Sequence, residues 1–524
     1  PINRGENSFT FSQEGQNSVT RVIKNNPPPQ PPPPETMPQP VVRNVLPAAA
    51  EYARAGTTLT LAATAPSGAT VTAQIGEKII SLSQTSNANL ISTNETIFAA
   101  RFTGNFLLLE NFIDYENPQR EADPTAIISL GKPVYTMTWN GKTATATAAE
   151  IFQIGTEANF FAEITSDNTW VFPGATTTGG SHWTLSRGQR DRVAAISGNW
   201  TRLSSGGWVE NTNVRTYRDD KIVPTNALGF FSEGMYIAGD FDDKIVWEIP
   251  FSPVALAEFD GTTLIFSLGL QQKVSPIFVN IPDTIFSKID IGTHKGSPAY
   301  FFTLRNGENL EGFYTEYENG KLNLILRKRK NLSPGNYPFA GFTFVIDAGH
   351  GGNDSGAVGP MGAAMSESML VLTHAKMLRE RLEKLGAKVV LVRDSADRRF
   401  ELLDRVVANR AAKPDMFISL HTNATAETTN ATNVHGFTVW YRNENSRPAA
   451  TVFMDSMRNV NPLSNRNNSP NHANFFVCRP SWSPAILLEA SFTNNIRDFS
   501  WMINERAQVD YAWGIVNALL KYYR

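Results

Sequence analysis

The sequence predicts a multidomain chain: all-β modules over roughly the first two thirds, then an α/β domain with a largely parallel sheet. Three observations carry that prediction. The chain has 524 residues, and at roughly 150 residues per domain that length suggests three or four domains. Short runs alternating apolar with small polar residues recur from about residue 46 to 330, the period of half-buried strands. After Phe342 the texture changes to strands alternating with amphipathic helices, the pattern of βαβ units.

Composition narrows the class. There are 47 basic and 49 acidic residues, for a net charge of -2, which argues against a dedicated nucleic-acid binder. Charged residues make up 18%, below the roughly 25% of an average soluble protein. The one cysteine, Cys478, cannot form an intrachain disulfide. No apolar run approaches the roughly 20 residues of a membrane span. The chain starts at Pro1 rather than Met, so we expect that an N-terminal piece such as a signal peptide has been removed.

Residues 1–45 read as a disordered, Pro-rich linker. The run Pro27–Pro40 (PPPQPPPPETMPQP) has no apolar residues able to build a core and predicts an extended polyproline-II spacer. Residues 46–157 read as a β-sandwich. TLTLAAT, ATVTAQI and KIISLS alternate at period two between PSG and GEK turns, and PVYTMTWNGKTATATA places Asn140-Gly141 between two strands, a hairpin signal. Residues 158–220 contain a GNWTRL strand, a Ser-Gly-Gly turn and GWVENTNV. On Trp200, Gly206, Gly207 and Trp208 this segment resembles a bacterial SH3-like domain, which implies a small barrel. Residues 221–335 form a further small β module, with TTLIFSLGL, KVSPIFVNI and LNLILRKRK as strands.

The last domain spans 341–524. FTFVIDAG is a buried strand, and SESMLVLTHAKMLRERLEKLG a helix with Leu370, His374, Met377, Leu378, Leu382 and Leu385 at helical spacing, ended at Gly386. AKVVLVRD, MFISLH, GFTVWY and AILLEASF read as strands; RFELLDRVVANRAA, RPAATVFMDSMRN and INERAQVDYAWGIVNALLKYY read as helices. His350 follows the first of these strands and opens a Gly-rich turn, His421 follows MFISL, and Glu489 ends AILL. Sites in open α/β sheets form beyond the carboxyl ends of strands, so these residues can converge. Glu367 joins them from the first turn of the first helix.

Two imidazoles and one carboxylate suit a catalytic zinc with a position left open for water, and a separate carboxylate can move the proton. Taken singly, each residue has a simpler reading. A strand-end histidine is more often structural, and a glutamate at a helix start complements the dipole. Motif order decides. VIDAGHGGNDSGAVGP, the Glu-led helix SESMLVLTHAKMLRERLEKLGAKVVLVRDSAD, ELLDRVVANRAAKPDMFISLHTNA and ILLEASFTNN resemble, in order and across 341–524, the zinc-dependent N-acetylmuramoyl-L-alanine amidases. These enzymes cut bacterial peptidoglycan.

The resemblance implies that His350, Glu367 and His421 bind zinc and that Glu489 is the catalytic carboxylate. It implies hydrolysis of the amide between N-acetylmuramic acid and L-alanine. It also implies a secreted, cell wall-associated protein, expected to be a monomer, whose β modules hold it on peptidoglycan. Two rivals stay open: a zinc peptidase acting within the stem peptide, and a non-catalytic wall-binding protein. Among the remaining residues, His374 is expected in the core and Cys478 as an inert packed thiol. His435 and His472 are weaker candidates for the substrate cleft. Arg393, Asp394, Asp397 and Arg405 are expected to tie the second strand to the next helix through ion pairs. Trp170, Trp183, Trp200 and Trp208 are candidates for stacking on sugar or peptide, with at least half of them expected in the core.

Overall fold

The computed structural model describes residues 5–11, 19–25, 33–108, 125–155, 158–177, 183–219, 233–249, 251–269, 276–279, 281, 284–294, 297–426, 431–458, 460 and 469–524. Part of the Pro-rich run, the expected boundary at 220–221 and the Trp183 side chain lie outside the described residues. The chain divides into two compact units, Pro1–Glu51 with Ala55–Ala122 and Ile128–Gln153, and Tyr52–Arg54 with Asp123–Ile127 and Ile154–Arg524. Among the described residues no helix is long and apolar enough to cross a membrane.

The first unit is antiparallel β. Thr58–Pro66 pairs along its whole length with Ile97–Leu107. The Asn140-Gly141 turn joins Val134–Trp139 to Lys142–Thr147. Both turn residues have positive φ, 47° and 72°, as a two-residue turn matching strand twist requires. Thr70–Ile75 shows the predicted alternation: Val71, Ala73 and Ile75 are buried and their neighbours more open.

The second unit begins with strands of a mostly antiparallel sheet, in which Gln189–Ser197 also runs parallel to Ser252–Pro253. Phe160–Ile164 lies between Gln189–Ser197 and Val214–Arg218, and Trp200–Leu203 pairs with both Gln189–Ser197 and Trp208–Glu210. Ala162, Ile164, Val171, Val193, Leu203 and Val209 fill its core. The next region holds two sheets, antiparallel except where Gly234–Ile237 runs parallel to Ile277–Phe278. One contains Asp242–Glu248, Lys321–Lys328 and Leu310–Glu318. The other contains Ala255–Phe259, Thr263–Leu268, Ser297–Leu304 and Phe286–His294. Their shared core is aromatic, with Trp247 stacked on Phe266 at 5.6 Å.

In the C-terminal region, β1 (Thr343–Ala348), α1 (Glu367–Lys384), β2 (Lys388–Leu391), α2 (Leu402–Ala412), β3 (Met416–Asn423), β4 (Thr438–Tyr441), α3 (Arg447–Met457), β5 (Asn471–His472), β6 (Ala485–Phe492), α4 (Ile496–Met502) and α5 (Glu505–Tyr522) follow in order. The sheet order is β2-β1-β3-β6-β4-β5. β1 runs parallel to β2 and β3, and β3 runs parallel to β6, while β4 is antiparallel to β6. Alternate residues serve two faces. Phe344, Ile346, Ala348, Met416, Ile418 and Leu420 join the cluster made with α1, α3 and α5. Val345, Phe417 and Leu487 join another that takes in Ala408 and Ala412 of α2. A strand covered on both faces needs an unbroken apolar run, and FVI and MFI supply one.

His374 lies on the inner face of α1, 2% exposed, with its ring 5.0 Å from that of Tyr511. Burial pushes its imidazole down to about 4. An unfolded histidine titrates near pH 6.5, so between about pH 6.5 and 4 the unfolded chain binds the additional proton. Stability therefore rises with pH through that window and is lost as pH falls. We expect His374→Leu to gain stability relative to the native chain as pH drops from 7 to 4.5. Denaturant melts of both proteins at several pH values measure the difference. A difference that stays constant with pH would remove His374 from the acid limb.

Candidate metal centre

β1 ends at Ala348, and the next carbonyls are gripped by two buried guanidinium groups. Arg393, 2% exposed, donates from Nε to the Ala348 carbonyl at 2.8 Å and from Nη2 to Gly349 and Ser368 at 2.7 Å each. Arg405, 3% exposed, donates to the carbonyls of Ala348 at 2.9 Å and His350 at 2.6 Å. It also pairs with buried Asp347, whose other oxygen accepts from the Ser419 hydroxyl at 2.7 Å. Burial, with Arg405 close by, brings the Arg393 guanidinium down to about 10. The clamp holds His350 at φ 59°, a left-handed conformation that costs a non-glycine residue energy and persists only where surroundings impose it.

This corrects the expected ion pairs. Among the described residues neither arginine pairs with Asp394 or Asp397, and Arg405 ties α2 to β1 rather than to β2. Arg393 serves carbonyls because the turn after β1 leaves them without ladder partners, and a buried carbonyl needs a donor.

Glu367, 4% exposed, opens α1 and reaches both histidines. Its Oε2 lies 3.2 Å from His350 Nε2 and accepts from the Ala357 N–H at 2.9 Å. Its Oε1 lies 3.0 Å from His421 Nδ1 and accepts from the Thr422 N–H at 2.9 Å. Burial opposes the charged form, but the two imidazoles overcome it and hold this carboxyl far below the usual range. His350 is likewise disfavoured by burial, yet Glu367 and Asp354 raise it above the ordinary histidine value. Asp354 Oδ2 sits 3.1 Å from His350 Nδ1, which orients the ring and leaves Nε2 facing Glu367.

One ligand atom from each of His350, Glu367 and His421 lies within 4.8 Å of the others. Two ligands at about 2.1 Å from a tetrahedral ion stand roughly 3.4 Å apart, and a trio of ligand atoms all within 4.8 Å of one another is compact enough to close on such a cation. Two glycines make room for the cluster. A Cβ on Gly349 would lie 2.3 Å from the His421 ring, and one on Gly356, at φ +62°, 2.5 Å from Glu367 Oε2.

Glu489 is in register with His421 on the neighbouring parallel strand, so the two side chains leave the same face at the same end. Its Oε2 is buried with no hydrogen-bond partner among the described residues. Burial raises this carboxyl to about 7; Glu367 adds to the rise and the two histidines oppose it. The four residues singled out from the sequence are thus brought together.

His435 is not among the metal-spaced trio; it lies in the loop before β4, whose first residue, Thr438, is in register with Glu489. His472, in β5, donates from Nε2 to the Arg442 carbonyl (2.8 Å), at the other end of the sheet. Cys478 is buried, and burial raises its thiol well above the usual range. Asp354 and the arginine clamp were missed. Asp354 stands four residues after His350, within HGGND, which was the available signal. Nothing local marks where Arg393 and Arg405 point.

The N-acetylmuramoyl-L-alanine amidase family matches residues 344–521. The uncharacterized protein YqiI of Bacillus subtilis (strain 168) is 33% identical over 186 residues, which cover 36% of this chain and 87% of YqiI. The probable cell wall amidase LytH of Staphylococcus aureus is 31% identical over 186 residues, 36% of this chain and 60% of LytH, so the chain spans less than two thirds of that relative. Among solved structures, the catalytic domain of CwlV, an N-acetylmuramoyl-L-alanine amidase from Bacillus (Paenibacillus) polymyxa var. colistinus, is 30% identical with a TM-score of 0.32, over 34% of this chain and 97% of that one. From the family match and the near-complete coverage of YqiI it follows that this chain belongs to the N-acetylmuramoyl-L-alanine amidases, the peptidoglycan hydrolases of the cell wall.

Proposed function

We propose that residues 341–524 form a zinc amidase of α/β fold that hydrolyses the bond between the lactyl group of N-acetylmuramic acid and the L-alanine of the stem peptide. His350, Glu367 and His421 hold the metal, and Glu489 moves the proton. The observation that carries this reading is the orphaned, buried Oε2 of Glu489 at the same sheet end as a compact His-Glu-His cluster. A buried carboxylate without a partner is expensive, and proton transfer is a reason to keep one.

A zinc ion in this cluster supplies Lewis acidity toward a water molecule and toward the substrate carbonyl. Glu489, as carboxylate, takes the proton of the attacking water. As a carboxylic acid it returns that proton to the alanine nitrogen while the C–N bond breaks. A carboxyl held near neutrality by burial suits both halves of that transfer. Asp354 keeps His350 in one ring orientation, and the arginine clamp keeps its backbone in place.

The modules before this domain would tether the enzyme to the wall as a secreted protein. The segment 158–220, read as SH3-like, is the leading candidate for that task, with 46–157 and 221–335 as further β modules. Trp170, Trp200 and Trp208 are all half-buried, which leaves part of each ring for a ligand.

Elemental analysis of the full chain should find one zinc, and His421→Ala should lose it. Mass spectrometry of digested peptidoglycan should then find intact stem peptides with free L-alanine amino termini. Cuts inside the stem peptide would replace the amidase with the peptidase reading. Full zinc in His421→Ala would overturn the ligand set.

A further inference from the structure

One row of side chains crosses three strands at the catalytic end of the sheet. His421 of β3 is in register with Glu489 of β6, and Glu489 is in register with Thr438 of β4. Residues directly opposite one another on adjacent strands project from the same face, and neighbouring strands lie about 4.8 Å apart. The order across the row is therefore a histidine of the metal cluster, the proton carrier, then Thr438. The first two have roles in the proposed reaction, and the third has none. Phe437, Val439 and Tyr441, which alternate with Thr438 along the chain, are buried in the core on the opposite face. Thr438 itself is half-buried.

The Thr438 hydroxyl is pinned from one side. Trp440, two residues along on the same strand face, donates from Nε1 to Thr438 Oγ1 at 3.0 Å. The indole is fixed in turn. It packs against the cluster that contains Leu487 and Cys478, and its ring stands edge-on to that of Phe475 at 5.2 Å. A threonine hydroxyl has one proton and two lone pairs. One lone pair is taken by an indole that can only donate, and among the described residues no acceptor takes the proton. A donor is thus left beside the carboxyl that moves the proton.

The row matches the order of atoms in the substrate, an order that rests on the amidase reading. In hydrolysis of the lactyl amide, the scissile carbonyl belongs beside the metal cluster and the nitrogen beside Glu489, which protonates it. The leaving peptide continues from that nitrogen, away from β3 and toward β4. One residue of extended chain advances about 3.3–3.6 Å, so the next carbonyl, that of L-alanine, comes within side-chain reach of the strand beyond. We infer that Thr438 is a specificity-determining residue, whose hydroxyl donates a hydrogen bond to the L-alanine carbonyl of the stem peptide while Trp440 holds it in place. The contact selects a leaving group that is a peptide rather than a simple amine. Without that donor, a carbonyl taken out of water in the cleft would go unpaired, which is costly.

Kinetics of the full, zinc-loaded chain on two substrates test the contact. One is a muramyl tripeptide. The other is the same molecule with an (E)-alkene in place of the peptide bond after L-alanine, which keeps the shape and removes the carbonyl oxygen. Thr438→Val should lower kcat/KM on the tripeptide about 2–10-fold, the worth of one neutral hydrogen bond, chiefly by raising KM. Thr438→Ser, which keeps the hydroxyl, should recover most of that loss. The native chain and Thr438→Val should cleave the alkene equally well. Zinc content and melting temperature report the metal and the fold of each variant. Should Thr438→Val fail to fold, Trp440→Phe, which frees the hydroxyl without removing it, should show a smaller loss confined to the tripeptide. An equal loss on both substrates would overturn the proposal, because Thr438 would then serve Glu489 or the fold and not the peptide carbonyl. Unchanged cleavage of both would overturn it as well. If the native chain frees no L-alanine amino terminus from the tripeptide, the amidase reading fails and this inference with it. If the native chain does so and no variant shows a carbonyl-dependent loss, this inference alone fails.

Discussion

Glu489→Gln should keep its zinc and its fold, yet turn over muropeptides roughly 10²–10⁴-fold more slowly, the span expected for loss of a general acid–base. The substitution is nearly isosteric. Because Glu489 Oε2 has no hydrogen-bond partner among the described residues, no observed bond to that atom is broken by the amide. The native carboxylate is desolvated, which is why burial holds it near 7. A neutral amide escapes that penalty, so above pH 7 the variant should melt no lower than the native chain. Glu367→Gln should behave oppositely. Both Glu367 oxygens accept backbone N–H groups, from Ala357 and Thr422. An amide can accept on one side only, so one buried N–H would face another donor, and the metal would lose an anionic ligand. Zinc content, melting temperature and cleavage measured on both variants separate proton transfer from ligation. Normal turnover by Glu489→Gln would end the mechanism.

The sequence made some features plain because they are local. The Asn140-Gly141 hairpin needs only two residues with positive φ, and the two-faced burial of β1 and β3 needs only unbroken apolar runs. His350, His421 and Glu489 could be gathered because each follows a readable strand, and strand ends share one edge of a sheet. Features that depend on distant partners were hidden. Arg393 and Arg405 carry the same charge whether they meet aspartates or carbonyls, and the choice is made by a turn 40 or more residues away. His472 was weighed for the cleft, but β5 runs beside β4 and places it at the opposite end of the sheet. The direction of β4, antiparallel to β6, is likewise set by pairing rather than by composition. The aromatic pairing of two sheets across Trp247 and Phe266 left only an undifferentiated run of strands in the sequence.

Gly349→Ala should cost zinc affinity at least about 10–100-fold, the usual range for disturbing what positions a ligand, while leaving the fold intact. The added Cβ would stand 2.3 Å from His421 Cε1 and 2.6 Å from Nδ1, well inside any tolerable contact, so something must move. The backbone at residue 349 is held from both sides. Its N–H donates to the Leu420 carbonyl at 3.0 Å, and its carbonyl accepts from Arg393 at 2.7 Å. The imidazole is the freer party, being a terminal group on β3 that is partly exposed. Its displacement takes a nitrogen off the shared centre without touching the ladder between β1 and β3. Turnover should fall with zinc occupancy and recover in part when zinc is added in excess. No such recovery is expected for Glu489→Gln, whose metal is already in place. Competition with a chelator of known affinity measures the first effect, and cleavage across a zinc titration measures the second. Native zinc affinity with normal cleavage in Gly349→Ala would mean that His421 does not ligate from the position it occupies here.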